Sequence, residues 1–259
     1  MGPGVTDALL YVYAVTDANL VDDEVDGLRA VDDAPVYVIA EASVAAVVSA
    51  VDAQRFDASA LKRNLEDLQW LEGVARAHDA VVSRLASHRP VAPVRLATVF
   101  TSTENVRTLL RTRARDFAAA LDRVRGRCEW AVKGFVITGH TAPATSAPAP
   151  SLSPGRSYLE RRRAERDHRA QNQHEALTEA AVLHDQLAQL AIASRQYPPQ
   201  DRTLSGYRDE MVLNVAYLLP NGEESEFRQV IDAYQGRHLR LQLDGPWAPY
   251  SFATLEGDQ

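Results

Sequence analysis

At 259 residues, with 46% hydrophobic side chains, the chain is long enough for one large or two ordinary domains with a real core. A net charge of -7 gives no support to nucleic-acid binding by the molecule as a whole, and the single Cys128 excludes an intramolecular disulfide or a cysteine-based zinc cluster. No apolar run approaches the roughly 20 residues of a membrane helix, and the short run Ala8 to Val15 follows Asp7 without a basic leader region, so a soluble cytoplasmic protein is expected.

Leu9 to Val15 is apolar at both parities, and Val36 to Ala40 and Val44 to Val51 are short and β-branched, so the chain opens on a small sheet. Leu61, Leu65, Leu68, Leu71, Ala75, His78, Val82 and Leu85 recur at helical spacing and predict one long amphipathic helix from about Ser59 to Ser87, ending before Pro90. Val91 to Phe100 returns to strand character. Thr101 and Glu104 then read as a capping box opening a helix with the stripe Val106, Leu110, Phe117, Leu121 and Val124, which Gly126 stops.

A strand over Glu129 to Ile137 begins the second half. His140 to Ser157 is a Pro, Ala, Ser and Thr tract with too little apolar surface to order itself, and it reads as a disordered insertion. Tyr158 to Arg195 reads as one helix, polar and Arg-rich at first and then carrying Ala176, Ala180, Leu183, Leu187 and Leu190; Pro198 and Pro199 end it. Met211 to Leu219 is a strand, Phe227, Val230, Ile231 and Tyr234 mark a short helix, and His238 to Leu243 is the last strand. The fold class expected is α+β in two α+β domains, residues 1–127 and 128–259, with helices layered on one face of a sheet and the insertion at about 140–157.

Seven histidines invite a metal hypothesis, yet none forms HxH or HExxH. His78 lies on an apolar stripe, where a core histidine bonded to a neighbouring strand is the expected reading over a catalytic base. Asp22, Glu24, Asp26, Gly27 and Asp33 approximate calcium-loop spacing, but the residue types at two ligand positions are wrong and the flanks are strands, which favours a solvated loop. Phosphate-loop, dinucleotide and hydrolase-elbow motifs are absent from the sequence, so neither a catalytic residue nor a cofactor is expected.

Arg162, Arg166 and Arg169 share one helical face, with Arg156, Arg161 and Arg163 nearby. Interleaved Glu160, Glu165 and Asp167 favour a solvated helix laced with ion pairs; an acidic protein partner and a nucleic-acid backbone are the other readings. Arg95, a charge within an apolar strand, is either paired with a buried carboxylate or exposed at an edge for a partner. These four arginines are the partner-contact candidates.

The run Gly245-Pro246-Trp247-Ala248-Pro249-Tyr250-Ser251-Phe252 is a rigid turn whose rings are expected to fold back and close a core, with an interface anchor as the other reading. It resembles the GPWPPYSF-like signature of the gas vesicle protein F/L family (GvpF/GvpL), with Ala248 in place of a proline. Leu10-Tyr11-Val12-Tyr13, Val44 to Ser49, Ala77-His78-Asp79-Ala80-Val81-Val82, Pro93 to Phe100 and Glu129 to Lys133 are similar to further family segments in the family's order, with Leu96 replacing an aromatic and Ala97 a glycine.

The resemblance implies a modified ferredoxin-like C-terminal domain with an extended helix. It also implies a non-enzymatic minor component or assembly factor of gas vesicles that binds the hydrophobic shell protein GvpA and other accessory proteins, limiting aggregation during vesicle nucleation. Neither nucleic acid nor membrane is an expected partner, and the location implied is the cytoplasm and the gas vesicle. The rival reading is a small-molecule-binding regulatory or enzymatic α+β domain.

Overall fold

Strand β1 (Ala8–Asp17) is the spine of the first sheet. In the computed structural model, which describes residues 8–20, 24–137, 154–200 and 209–253, β1 pairs antiparallel with β3 (Val44–Asp52) along one edge. Along the other edge it pairs antiparallel with β4 (Val91–Pro93) and β5 (Val99–Phe100). β2 (Val36–Glu41) adds to β3, giving the order β2-β3-β1-β4 with β5 beside β1. A strand paired on both edges and covered on both faces is apolar at every position, and Tyr11 to Val15 are all buried. The register shifts between Val12 and Ala14, leaving Tyr13 as the extra residue of a bulge.

Three aspartate-capped helices follow, and the second and third of them stand in place of the single long helix expected over 59–87. Asp52 caps α1 (Ala53–Phe56), Asp57 caps α2 (Ala58–Asn64), and Asp67 caps α3 (Leu68–Ala86), where its Oδ1 accepts from Gln69 N at 2.9 Å and Trp70 N at 3.2 Å. Asp67 itself takes extended backbone angles, so the ladder breaks there. Leu65 and Leu68 flank the break and are exposed, Leu68 by 79%, while the buried face of α3 is Val74, His78, Val81, Val82 and Leu85.

The expected strand 91–100 is likewise interrupted. Thr98 donates from both N and Oγ1 to the Arg95 carbonyl, at 3.3 and 2.7 Å, closing a turn in which Ala97 sits at φ 61°. That left-handed backbone is the one glycine enters without penalty, so alanine here carries a local strain. The next helix is capped by Ser102, whose hydroxyl accepts from Asn105 N at 3.2 Å, rather than by Thr101. It runs as α4 (Thr103–Thr112) and, after a kink at Arg113, α5 (Ala114–Val124), and the expected stripe Val106, Leu110, Phe117, Leu121 and Val124 is buried.

The second sheet is built from β6 (Arg127–Val136), β7 (Ala193–Gln196), β8 (Met211–Pro220) and β9 (Leu239–Trp247), in the order β7-β8-β6-β9. Helix α6 (Pro154–Leu190) joins β6 to β7, and α7 (Glu224–Tyr234) joins β8 to β9, which makes the connectivity β-α-β-β-α-β. β7 replaces the expected end of the long helix: Ile192 N donates to Leu218 O at 2.9 Å, and Ala193 to Gln196 pair antiparallel with Leu218 to Val215. Pairing along an edge outweighs the helical propensity of so short a segment.

The core of this part holds Trp130, Val132 and Phe135, Ala176, Ala180, Leu183 and Leu187, Met211, Leu213 and Val215 to Leu219 of β8, Phe227, Ile231, Leu239 and Leu241. At Gly134 an added Cβ would lie 3.0 Å from Leu213 Cβ and 3.3 Å from Leu241 Cδ2, so glycine lets β6 pack there without displacing its neighbours.

The chain divides into two compact units, Met1–Glu129 with Pro246–Gln259, and Trp130–Gly245. The last segment is thus grouped with the first unit, where the sequence reading places a boundary near Arg127. Most of the expected insertion lies outside the described residues; α6 already begins at Pro154, before the tract's expected end at Ser157.

Candidate partner-binding surface

In the first unit the polar side chains of the core are drawn together by β1 and α3. Tyr11 Oη accepts from Ala97 N at 2.9 Å and lies 3.1 Å from His78 Nδ1. Tyr13 Oη accepts from Val31 N at 3.1 Å and bonds Ser49 Oγ at 2.7 Å. The rings stack: Tyr11 and Tyr13 centroids are 4.7 Å apart, Tyr11 and Phe56 meet edge-on at 5.8 Å, and Tyr13 and His78 lie 5.6 Å apart. His78 is the core histidine that its place on an apolar stripe suggests. Burial pushes its imidazolium down to about pKa 4, against a smaller opposing pull from Asp79, so the ring is neutral near pH 7. Among the described residues its Nε2 has no hydrogen-bond partner. Burial likewise raises the Tyr11 and Tyr250 hydroxyls well above the usual phenol range.

The C-terminal turn completes this core. Ser251 donates to the buried Glu129 carboxylate from N at 2.7 Å and from Oγ at 2.6 Å, Tyr250 Oη donates to Asp79 Oδ1 at 3.2 Å, and Arg123 reaches the Phe252 carbonyl at 3.3 Å. Ala248, Phe252 and Ala253 are buried and Tyr250 packs against the core. Trp247 departs from the expectation: it is 46% exposed. The motif closes the core with Tyr250 and Phe252 and leaves its largest ring on the surface. Sequence reading misses this because a Gly-Pro-Trp run fixes backbone stiffness but not which face of the turn each ring takes.

The acidic loop has other commitments. Glu24 pairs with Arg89, Asp32 with Arg55, and Asp26 accepts from Gly27 N; Asp22 lies outside the described residues. Among the described residues, no group of three or more His, Cys, Asp or Glu is placed to hold a metal ion.

The arginine candidates occupy two settings. Arg95, in the first unit, is exposed on the turn between β4 and β5 instead of lying within a strand. Arg162, Arg166 and Arg169 lie on α6 in the second unit, whose 37 residues span about 55 Å at 1.5 Å per residue. From Asn172 onward α6 is tied down: Asn172 Nδ2 donates to Ile137 O, Gln173 Nε2 to Glu210 Oε1, and His238 lies between Glu175, 3.0 Å from Nε2, and Glu179, 2.8 Å from Nδ1. Before that point every residue from Tyr158 to Gln171 is exposed. The lacing of ion pairs expected there does not form: among the described residues no carboxylate is salt-bridged to Arg162, Arg166 or Arg169. Arg162 instead lies 5.9 Å from the centroid of the exposed Tyr158 ring.

Residues 9–254 match the family described as gas vesicle synthesis protein GvpL/GvpF. The chain belongs to this family. It is 39% identical to gas vesicle protein L of a Streptomyces species, over 96% of this chain and 94% of that protein. To gas vesicle protein F of Haloferax mediterranei it is 23% identical, over 95% of this chain and 93% of that one. The fold is similar to the crystal structures of GvpF from an Anabaena species (TM-score 0.67, 22% identity, 97% of this chain and 98% of that one) and from Microcystis aeruginosa (TM-score 0.65, 21% identity, 95% and 99%). GvpL/GvpF membership places the chain among gas vesicle structural and accessory proteins rather than enzymes. No helix among the described residues is long and apolar enough to cross a membrane.

Proposed function

We propose that this protein is an assembly component of the gas vesicle, acting in the cytoplasm and at the vesicle, which binds the hydrophobic shell protein GvpA together with other accessory proteins and limits shell-protein aggregation during nucleation. The observation that carries the reading is the family match running through residues 9–254, nearly the whole chain. The exposed surface agrees with a recognition role: Trp247 stands 46% exposed beside residues that anchor its turn, and Arg95, Arg162, Arg166 and Arg169 are available to a partner.

Co-expression with the shell protein tests it. Retention of GvpA by the tagged full-length chain, and a fall in vesicle yield when the chain is omitted, are the expected results. Unaltered yield in its absence, with no shell protein retained at any salt concentration, removes the assembly role.

A further inference from the structure

Helix α6 presents one face in two environments. Ala176, Ala180, Leu183 and Leu187 are buried where the helix packs on β8 and α7. Eighteen positions earlier, five turns at 3.6 residues per turn, stand Tyr158, Arg162, Glu165 and Arg169, which continue that same face. There they are exposed, with the Tyr158 ring beside Arg162. The sequence changes with the setting, from alanine and leucine over the sheet to arginine with an aromatic ring beyond it.

We infer that the face of α6 from Tyr158 to Arg169 is a docking surface for an amphipathic α-helix of a partner protein carrying acidic side chains. Three features select that occupant. Arg162, Arg166 and Arg169 are exposed cations without salt-bridged carboxylates among the described residues, so a complementary charge adds attraction without displacing an existing pair. Tyr158 and Leu159, 56% and 64% exposed, end the arginine row with an apolar patch that an apolar side chain of the partner can cover. The row from Arg162 to Arg169 spans about 10 Å, which matches carboxylates at i, i+4 and i+7 of a second helix, whereas five residues of one strand face spread the same three charges over about 13 Å. Glu165 lies within the face and disfavours a phosphate backbone, which presents negative charge at every step. The inference rests on the proposed function only in taking the partner to be a protein.

The test is fluorescence anisotropy of the full chain with a labelled synthetic amphipathic peptide bearing Glu at i, i+4 and i+7 and Leu one turn beyond. Three comparators are a Lys-for-Glu peptide, a peptide broken by a central proline, and a mixed-sequence DNA duplex. Saturable binding of the acidic helix is expected. It should weaken at least tenfold in the Arg162→Glu/Arg166→Glu/Arg169→Glu variant and severalfold in Tyr158→Ala/Leu159→Ala, with the reversed-charge variant gaining the Lys peptide. Circular dichroism matching the parent establishes that each variant is folded. Absent binding of the acidic peptide, unchanged affinity in the triple variant, equal binding of the proline-broken peptide, or tighter binding of the duplex each overturns the inference. The peptide contains no vesicle component, so failure here leaves the co-expression result standing, and failure of that result leaves this one intact.

Discussion

Trp247 and Phe252 belong to one eight-residue motif but differ in burial, and the difference sets what each contributes to stability. Phe252 is buried with Ala248 and Ala253, so Phe252→Ala should cost about 3 to 5 kcal/mol. Trp247→Ala removes a ring already 46% exposed and should cost under about 1 kcal/mol. Urea denaturation of the two variants checks the contrast; equal losses would place both rings in the core. His78 supplies the pH-dependent counterpart. Its folded pKa near 4 lies below the unfolded value near 6.5, so the unfolded chain takes the proton first. The associated stability is complete above pH 6.5, declines as the pH falls toward 4, and is constant below that; the full loss is about 3 kcal/mol at most. Urea titrations at pH 7 and pH 4.5 should show a loss that His78→Gln, which cannot titrate, does not share.

Among the elements, the longer strands were the most legible: burial on both faces writes itself into the composition of β1, β3 and β8, β-branched residues mark the edge strand β2, and all four fall within two residues of their expected limits. Helix content was legible and helix continuity was not. A hydrophobic stripe reports which side of a helix is covered, and it survives a kink, as Leu110 and Phe117 do on either side of Arg113. Breaks are set by single capping residues, and Asp67 reads as one more surface charge until its carboxylate is seen on two backbone amides. β7 was invisible for another reason, since its four residues are a strand only because β8 offers them an edge. Of the surface features, the shared face of the three arginines was legible from spacing, but their lack of salt-bridged carboxylates was not, because spacing permits pairs without enforcing them. Gly134 is a sharper test of how closely these strands fit. The Gly134→Ala methyl would meet Leu213 Cβ at 3.0 Å, backbone-proximal and slow to yield, so a loss of about 1 to 3 kcal/mol is expected in thermal or chemical denaturation.

At the scale of the whole molecule, the first unit is assembled from both ends of the chain and the second from its middle. The bonds from Ser251 to Glu129 join residues more than a hundred positions apart, and the intervening unit shortens that separation by placing β6 and β9 side by side in one sheet. Ending the chain after Trp247 leaves β9 whole and removes Ala248, Ser251, Phe252 and Ala253 from the first unit. The unfolding transition reported there by Trp70 should shift to lower denaturant, while that reported by Trp130 in the second unit stays near its parent position. Coincident shifts of both probes would show that the two units unfold as one.

The same arrangement has a meaning in time. During synthesis the first 129 residues emerge well before their partners Ala248 to Ala253, so the older half of the nascent chain waits without the bonds from Ser251 to Glu129 and with part of its core uncovered, while the middle unit is made in one continuous stretch. Completion of the first unit therefore waits until residues 248–253 have been made, and synthesis interrupted just after Trp247 leaves a chain whose second sheet has all its strands while the first unit lacks its closing segment.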